Sequence, residues 1–180
     1  MRKLSAGLSI TLDGIVDGEP EWVGAHFSPE FAQTIRDLQA AGDTMLLGRV
    51  TYEYFQEAFG GGDGPEADYL NNVRKIVVSR TLKTADWQNS TVVSKNLADE
   101  VAKLKRERSK KNINVSGSIS IVQWLLKHGL VDELHLIVFP VVQVTGRRLF
   151  EELNKKPINF TLADSQPLPQ GVMHLTYQIA

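Results

Sequence analysis

Short apolar runs rich in β-branched residues alternate with segments of helical periodicity as far as residue 129. The runs predicted as strands are 3–12, 44–48, 75–79, 90–94, 113–117 and the longer 131–142. The segments predicted as helices are 28–42, 51–59, 65–70, 97–111 and 118–129. Residues 158–166 and 172–180 then follow without a helix between them, which is typical of paired antiparallel strands. This order predicts an α/β fold with a mainly parallel central sheet, helices on both faces and a C-terminal antiparallel strand pair.

The size and composition of the chain fit one globular domain over residues 1–180. A chain of 180 residues can bury a sizeable core, and its 42% hydrophobic and 23% charged residues are ordinary for a folded protein. No internal repeat, low-complexity tract or linker divides the sequence. We therefore predict a single domain.

Charge and cysteine content exclude several classes of partner and site. Lys and Arg total 20 against 21 Asp and Glu, and this net charge of −1 gives no field that would attract nucleic acid or an anionic membrane. The chain has no cysteine, so a disulfide framework and a cysteine–zinc site are both impossible. No apolar run approaches membrane-spanning length and no signal-peptide core is present at the N-terminus, so we expect a cytoplasmic protein.

The histidines show no spacing typical of metal ligands, and we expect no bound metal. They are His26, His128, His135 and His174. His128, next to Gly129, is predicted to lie at the C-terminus of a helix. Neither a G-x-S-x-G motif, nor a P-loop, nor a complete G-x-G-x-x-G motif is present, which removes the usual hydrolase, NTPase and Rossmann arguments.

Three predicted turns after strands combine small residues with hydroxyl groups or arginine. They are Gly48-Arg49-Val50-Thr51, Ser79-Arg80-Thr81 and Ser116-Gly117-Ser118. In an open α/β sheet, ligands bind at the carboxyl ends of the strands, where helix N-termini present unpaired N–H groups. Glycine permits close backbone approach, and arginine binds phosphate through two N–H groups. Three such turns along one edge would suit a ligand with several phosphates.

Each turn also has a simpler interpretation. Arg49 is placed to pair with Glu53 along a helix, a surface contact worth about 0.3–0.5 kcal/mol. Arg80 is explained equally well as a solvated residue after a strand, and Gly117 as a glycine at a helix entry. A single turn therefore does not establish a phosphate site.

Five sequence blocks resemble one known family. They are SITLDG at 9–14, LLGRVTYEYF at 46–55, KIVVSRTL at 75–82, INVSGSISIVQWLLKHGLVDELHLIVFPVV at 113–142 and TGRRLF at 145–150. Their order is similar to that of the dihydrofolate-reductase-like superfamily. It is closer to the reductase domain of bifunctional riboflavin-biosynthesis enzymes, the RibD C-terminal domain, and to its stand-alone relatives. The resemblance covers nearly the whole chain and implies a three-layer dihydrofolate-reductase-like fold.

The resemblance implies a bound NADPH and an oxidoreductase that acts on CH–NH or CH–OH groups. By this analogy, turn 48–51 would hold phosphate groups, turn 79–81 the adenosine 2′-phosphate, and residues 117–118 the pyrophosphate. The end of the first strand would lie along the nicotinamide. The residues that the resemblance implies for cofactor binding are Ser9, Gly48, Arg49, Thr51, Ser79, Arg80, Thr81, Gly117 and Ser118.

The chain departs from the family pattern in three places. Gly117-Ser118 stands where the family usually has two adjacent glycines, and the later G-x-G is reduced to Thr145-Gly146-Arg147. The carboxylate that holds the pterin in dihydrofolate reductases aligns near Ala32, and neither Glu30 nor Asp37 matches it without a gap. The resemblance therefore disfavours folate as the substrate.

The prediction is a reductase that passes hydride from NADPH to a flat heterocycle, pterin-like or pyrimidine-like, or to a similar small acceptor. The proton would come from Asp13, Glu30 or water, although Asp13 is also explained as a turn residue before glycine. Trp22, in the loop GEPEWVG, is a candidate for lining the substrate pocket. The apolar run 134–142 would serve a homodimer, because family members often pair and strand edges need covering.

An alternative from another class is a protein that keeps the fold and binds NADP or a partner without turnover. The missing second glycine and the absent pterin carboxylate motivate it. NADPH binding would separate both hypotheses from a purely structural protein, and NADPH oxidation would separate the enzyme from the binder.

Overall fold

The computed structural model describes residues 1–151, 153 and 157–179, and its strands form one eight-stranded sheet. The strands are β1 (Leu4–Thr11), β2 (Gly42–Gly48), β3 (Arg74–Val78), β4 (Ser90–Val93), β5 (Asn112–Ser116), β6 (Glu133–Phe139), β7 (Phe160–Pro167) and β8 (Met173–Ile179). The helices are α1 (Glu19–Ala25), α2 (Pro29–Ala40), α3 (Arg49–Phe59), α4 (Pro65–Asn72), α5 (Leu97–Arg106) and α6 (Ile119–Lys127). The predicted α/β class and the predicted strands are confirmed.

The order of strands across the sheet is β4-β3-β2-β5-β1-β6-β8-β7. Neighbours from β4 to β6 pair in parallel, and β8 pairs antiparallel with both β6 and β7. The predicted C-terminal antiparallel pair is therefore confirmed. The first strand of the chain lies in the middle of the sheet, between β5 and β6.

The two faces of the sheet are covered differently. On the face that we call the α6 face, Leu4, Ala6 and Leu8 of β1 pack with side chains of α5 and α6. The opposite face, the α2 face, carries two separate apolar clusters: one joins β2 and β3 to α3 and α4, and the other joins β6 to α1 and α2. In the described part of the chain neither of these two clusters includes a residue of β1. The middle of β1 thus lies between them.

Helix α2 begins where the sequence predicts. The Ser28 hydroxyl accepts the backbone N–H of Phe31 at 3.1 Å, and Pro29 occupies the first helical position. The helix buries Phe31 and Thr34. Phe31 packs edge-to-face on Phe139, with ring centroids 5.6 Å apart, so α2 is anchored over the carboxyl end of β6.

The prediction that Trp22 lies in a loop is wrong, because residues 19–25 form α1. The helix follows Gly18, whose φ of 72° is in the left-handed region that favours glycine. The Trp22 ring is 4% exposed and packs on Phe139 at a centroid distance of 5.0 Å. A two-turn helix is marginal in isolation, so we attribute α1 to this tertiary packing, which the local sequence pattern does not reveal.

The predicted helix 97–111 is too long, because α5 ends at Arg106. Glu107 leaves the helical conformation, with ψ of 146°, and its carboxylate accepts hydrogen bonds from Arg2 at 2.9 Å and from Arg74 at 2.9 Å. The Arg2 guanidinium is buried. Asp43 and Glu107 together balance its charge, and we attribute the end of α5 to this tertiary ion-pair network.

The apolar run 134–142 is not a free strand edge. Strand β6 pairs with β1 on one side and with β8 on the other, and its residues Leu134, Ile137 and Phe139 are buried within the chain. The need to cover a strand edge is therefore wrong as a reason for a homodimer through this run. A homodimer through another surface stays a prediction.

Candidate functional site

The three turns identified in the sequence lie side by side at one edge of the sheet. They follow β2, β3 and β5, and β2 pairs in parallel with both of the other strands. The backbone N–H of Gly48 donates to Ser118 Oγ at 2.9 Å, and the Thr51 hydroxyl donates to the Gly117 carbonyl oxygen at 3.5 Å. The turns after β2 and β5 are therefore in direct contact, while the roles of their residues in binding remain predictions.

The first turn of α3 is open to an anion. Gly48 is the N-cap and has no side chain to accept the N–H groups of that turn. The Arg49 guanidinium pairs with Glu53 Oε2 at 2.7 Å, as the simpler interpretation predicts, and both side chains are nearly half exposed. Such a pair is worth only about 0.3–0.5 kcal/mol, so a phosphate could replace the carboxylate at little cost.

The turn after β3 separates its three residues into two groups. The Ser79 hydroxyl is buried and accepts the backbone N–H groups of Thr81 at 3.2 Å and Leu82 at 2.9 Å. Arg80 is exposed and makes no hydrogen bond or ion pair with another described residue. Ser79 thus shapes the turn, and the Arg80 guanidinium is available to a ligand.

The turn after β5 shows how the chain accommodates a serine in place of a second glycine. Gly117 has φ of 63°, which a side chain would strain, although a Cβ there would meet only Thr51 Cγ2 at 3.7 Å. Ser118 has φ of −87°, which any residue adopts. Its hydroxyl accepts the Gly48 N–H, so the serine links β2 to α6 by a hydrogen bond.

The α2 face of β1 carries small and polar side chains. Ser5, Gly7, Ser9 and Thr11 share this face, because the alternating apolar residues of the strand pack on the α6 face. Central strands of parallel sheets are usually apolar on both faces, since helices cover both. This part of the sheet is therefore not filled by core side chains.

An open space lies over the middle of β1. A Cβ built on Gly7 would meet no atom within 4 Å, and Gly7 and Ser9 are both partly exposed. Gly7 pairs with Ser116 of β5 on one side and with His135 of β6 on the other. Its carbonyl oxygen accepts the N–H of Gly117 at 3.4 Å. This open surface over Gly7, beside the partly exposed Ser9 and Ser116, is called the β1 groove, and it adjoins the turn after β5.

Sequence reasoning identified Ser9 and missed Gly7 and His135. A signal for Gly7 was present in LSAGLSIT, where every second residue is small or polar although the strand is central. Glycine inside a strand often marks a close approach of a ligand to the backbone. The position of His135 had no local signal, because its neighbour in the sheet is more than a hundred residues away in sequence.

The Asp13 carboxylate holds the loop after β6 against the turn after β1. It accepts the Thr11 hydroxyl at 2.6 Å and the backbone N–H groups of Gln143 at 3.1 Å and Val144 at 2.9 Å. These hydrogen bonds, with that of Thr11 the largest contribution, lower the pKa of Asp13 to about 2. Because the group is ionised near neutral pH, this geometry favours a structural clamp over the predicted role as proton donor.

Helix α2 presents no carboxylate towards the sheet. Its buried residues are Phe31 and Thr34, and Glu30 is exposed. The Glu30 side chain makes no hydrogen bond or ion pair with another described residue, and Ala32 is half-buried. The structure therefore does not bring Glu30 together with the turn residues, and its proposed catalytic role has no geometric support.

Trp22 lies beside the carboxyl end of β1. It packs on Phe139, which pairs in register with Thr11. The buried Trp22 Nε1–H has no acceptor among the described residues, and a Cβ on Gly18 would lie 3.9 Å from it. This position is compatible with the predicted wall of a substrate pocket, and the assignment stays a prediction.

We expect Asp13→Asn to loosen the loop that begins at residue 141. Val144 has φ of 70°, an unfavourable conformation for a β-branched residue, and the Asp13 carboxylate anchors its N–H. Faster hydrogen exchange at Gln143 and Val144, measured by NMR, is the expected result. Folding lowers the pKa of Asp13 from 3.8 to about 2, so the ionised carboxylate stabilises the native protein. This stabilisation is fully present above pH 3.8 and is lost as the pH falls towards 2. Unchanged protection in Asp13→Asn, with exposed Asp63→Asn as the control, would contradict the clamp.

A parallel sheet whose helix N-termini and open polar groove meet at one edge is typical of α/β proteins that bind a nucleotide cofactor. The chain belongs to the RibD C-terminal domain family, whose model matches residues 2–174. The family predicted from the sequence and its dihydrofolate-reductase-like fold are therefore confirmed.

Two relatives from Bacillus subtilis (strain 168) match along most of their length. The uncharacterized protein YyaP is 29% identical over 184 aligned residues, which cover 98% of this chain and 94% of YyaP. The uncharacterized protein YwjB is 27% identical over 158 residues, which cover 86% of each chain.

Solved structures share the fold at low sequence identity. A Shewanella sp. PV-4 protein named for riboflavin biosynthesis has a TM-score of 0.81 and 20% identity, with 99% of both chains covered. A pyrimidine reductase-like protein from Corynebacterium diphtheriae has a TM-score of 0.71 and 15% identity, with 99% of this chain and 92% of that chain covered. A diaminohydroxyphosphoribosylaminopyrimidine deaminase/5-amino-6-(5-phosphoribosylamino)uracil reductase from Thermotoga maritima has a TM-score of 0.72 and 13% identity. The match covers 99% of this chain and 57% of the Thermotoga chain.

The described residues offer neither a membrane-spanning helix nor a metal-binding cluster. No helix among them is both long and apolar enough to cross a membrane. No group of three or more His, Asp or Glu side chains in the same residues could hold a metal ion.

Proposed function

We propose that the protein is an NADPH-dependent reductase that transfers a hydride to a small, flat heterocycle, pyrimidine-like or pterin-like. The observation that carries the proposal is the meeting of the phosphate-compatible turns with the open β1 groove at one edge of the sheet. The name of the Thermotoga relative, which includes a uracil reductase activity, supports a substrate of the riboflavin-pathway type. We also propose a cytoplasmic location and a homodimer formed through a surface other than β6.

The donors present fit the phosphates of a dinucleotide. The first turn of α3 has N–H groups without a side-chain cap, and Gly117 exposes backbone that no Cβ covers. Arg80 offers a guanidinium without a partner among the described residues. The Ser79 hydroxyl already accepts two backbone N–H groups, so we assign it the structural role of holding the turn. We assign binding of the 2′-phosphate to Arg80 and Thr81.

The β1 groove fits the reacting half of the cofactor and the substrate. NADPH supplies the hydride, and the chain supplies position, charge compensation and exclusion of water. Flat rings need a floor without bulky side chains, which Gly7 provides. The Ser9 and Ser116 hydroxyls make no hydrogen bond with another described residue, so both can bond to a carboxamide or a ring substituent.

We expect Arg80→Ala to weaken NADPH binding about 10- to 100-fold and to change NADH binding little. The lost interaction is a charge-assisted hydrogen bond to the 2′-phosphate, worth about 1.5–3 kcal/mol, and NADH lacks that phosphate. Titration of both cofactors by calorimetry measures the difference directly.

A matched control is Arg108→Ala, because Arg108 is also exposed and lies before β5, at the opposite edge of the sheet. Its replacement should leave both dissociation constants unchanged. Equal weakening of NADPH and NADH by Arg80→Ala would contradict the 2′-phosphate assignment, and native protein that binds neither cofactor would overturn the proposed function.

One observation favours a second function, a protein that binds NADP without turnover. Ser118 stands where the family has a second glycine, and its hydroxyl already occupies the Gly48 N–H, which removes one donor from the turn after β2. NADPH oxidation, followed at 340 nm with pterin, pyrimidine-dione and quinone acceptors, separates the two. Binding with no oxidation by any acceptor would favour the second function.

A further inference from the structure

A pair of buried histidines lies beside the β1 groove and has no part in the cofactor site. His135 of β6 and His174 of β8 are each 8% exposed, and their rings stack with centroids 5.3 Å apart. His135 Nδ1 lies 3.1 Å from His174 Nε2 and 3.2 Å from the Thr176 hydroxyl. Two side chains of β8 thus fix the Nδ1 edge of the His135 ring.

The other ring nitrogen of His135, Nε2, makes no contact with β8 of the kind that holds Nδ1. Because Nδ1 contacts two side chains of β8, we infer that Nε2, the other ring nitrogen, is turned away from them. Nε2 makes no hydrogen bond with another described residue, and it is not completely buried. His135 pairs in register with Gly7 and therefore shares its face of the sheet. A histidine with an unbonded ring nitrogen thus lies directly beside the glycine that forms the floor of the groove.

Helix α2 supplies no carboxylate to the groove, as the departure from the family pattern near Ala32 predicts. The carboxylate position on α2 falls near Ala32, and the buried Thr34 hydroxyl donates to the Glu30 carbonyl oxygen at 2.9 Å. Ala32 has no polar side-chain atom, and the Thr34 hydroxyl proton is already engaged. On the neighbouring strand, His135 supplies a group that can bond to a heterocycle.

The environment keeps this imidazole uncharged. Burial, with a smaller contribution from His174, lowers the pKa of His135 to about 4, and burial also lowers the pKa of His174. A neutral imidazole donates through one nitrogen and accepts through the other, and the tautomer is set by the contacts of the Nδ1 edge. Such a partner suits an uncharged ring, whereas a carboxylate suits a cationic one.

We propose that His135 Nε2 hydrogen-bonds a ring nitrogen or carbonyl oxygen of an uncharged heterocyclic substrate in the β1 groove, and that His174 and Thr176 position its ring. The inference rests on the proposed function and assigns to it a residue that recognises the uncharged ring. His135 contacts the substrate, and His174 is a positioning residue.

The kinetic test compares His135→Phe with His128→Phe. His128 is an exposed histidine whose Nδ1 contacts the Trp124 carbonyl oxygen, so its replacement serves as the matched control. For His135→Phe we expect the KM of a pyrimidine-dione acceptor to rise about tenfold while the NADPH dissociation constant stays within twofold. His174→Phe should raise KM in the same way, and His174→Gln, which keeps a hydrogen-bonding group, should restore part of it. An unchanged KM in His135→Phe, or a parallel loss of NADPH binding, overturns the proposal.

A second measurement uses the native protein and does not depend on the folding of a variant. With ¹⁵N-labelled histidine, uracil added to the NADPH-saturated protein should shift the Nε2 signal of His135 and leave that of His128 in place. If neither uracil nor a pterin moves the His135 signal, the proposal is overturned, whether or not NADPH binds. Loss of NADPH binding in native protein, by contrast, removes the proposed function alone, because the uracil titration can be repeated without cofactor.

Discussion

Replacement of Gly7 by leucine is expected to reduce NADPH-dependent turnover more than a hundredfold while leaving the free energy of unfolding nearly unchanged. A Cβ at this position meets no atom within 4 Å, so a larger side chain finds room without displacing the core. That room is the floor of the β1 groove, where the nicotinamide and substrate rings would lie. A loss of this size corresponds to about 3 kcal/mol of transition-state stabilisation.

The series Gly7→Ala, Gly7→Val and Gly7→Leu separates groove filling from instability. We expect kcat/KM to fall with side-chain volume, while the unfolding temperature stays level or rises, since valine favours a strand more than glycine does. Gly24→Leu is the matched control, because Gly24 is exposed on α1 and its Cβ would also meet no atom within 4 Å. Full turnover in Gly7→Leu would show that the groove is not the reaction site.

Acid is expected to destabilise the fold between about pH 6.5 and pH 4 through the histidine pair. His135 titrates near 6.5 in the unfolded chain and at about 4 in the folded protein, so the unfolded chain binds more protons in this window. Stability is therefore complete above pH 6.5 and is lost as the pH falls, by roughly 3 kcal/mol for this one group. His174 acts in the same direction.

The charged groups that face the pair modify this effect and partly oppose one another. Glu133 favours and Lys3 disfavours the protonated form of His135, while Asp164 of β7 favours that of His174. None of these reverses the effect of burial, which is the largest contribution for both histidines. The net direction, acid destabilisation, therefore holds.

Urea unfolding measured at pH 7.0 and pH 4.5 tests the histidine prediction. In His135→Gln the difference in unfolding free energy between these two pH values should shrink by about 2 kcal/mol or more, whereas His128→Gln should behave as the native protein does. Equal pH dependence in His135→Gln and native protein would mean that the pair is not the source of acid lability.

Much of the fold could be predicted because its signals are local. The runs that became β2, β3 and β5 are apolar and short, and Ser28-Pro29 marks the start of α2. Helix α1 could not be predicted in this way, because its stability comes from packing of Trp22 on a strand far along the chain. The end of α5 likewise depends on Arg2, at the other end of the sequence.

The residues of the candidate site also differ in whether a local sequence signal identifies them. The turn residues were identified because glycine, hydroxyl and arginine stand together in the sequence, and strand order alone places them at one edge. Gly7 and His135 required the pairing of β1 with β6, which periodicity does not specify. Asp13 was singled out from the sequence as a possible proton donor. In the fold its carboxylate accepts three hydrogen bonds, which favour a structural role instead.

The two sides of β1 have separable tasks, since its leucines and alanine hold the domain together and its small residues face the groove. A change at Ser9 or Gly7 can thus remodel what the protein accepts without weakening its interior. Substitutions on the groove side of this strand change the binding surface without loss of stability. Proteins that descend from one ancestor could therefore acquire new substrates through changes of one methyl or hydroxyl group. Such a scaffold is well suited to diversification by single substitutions.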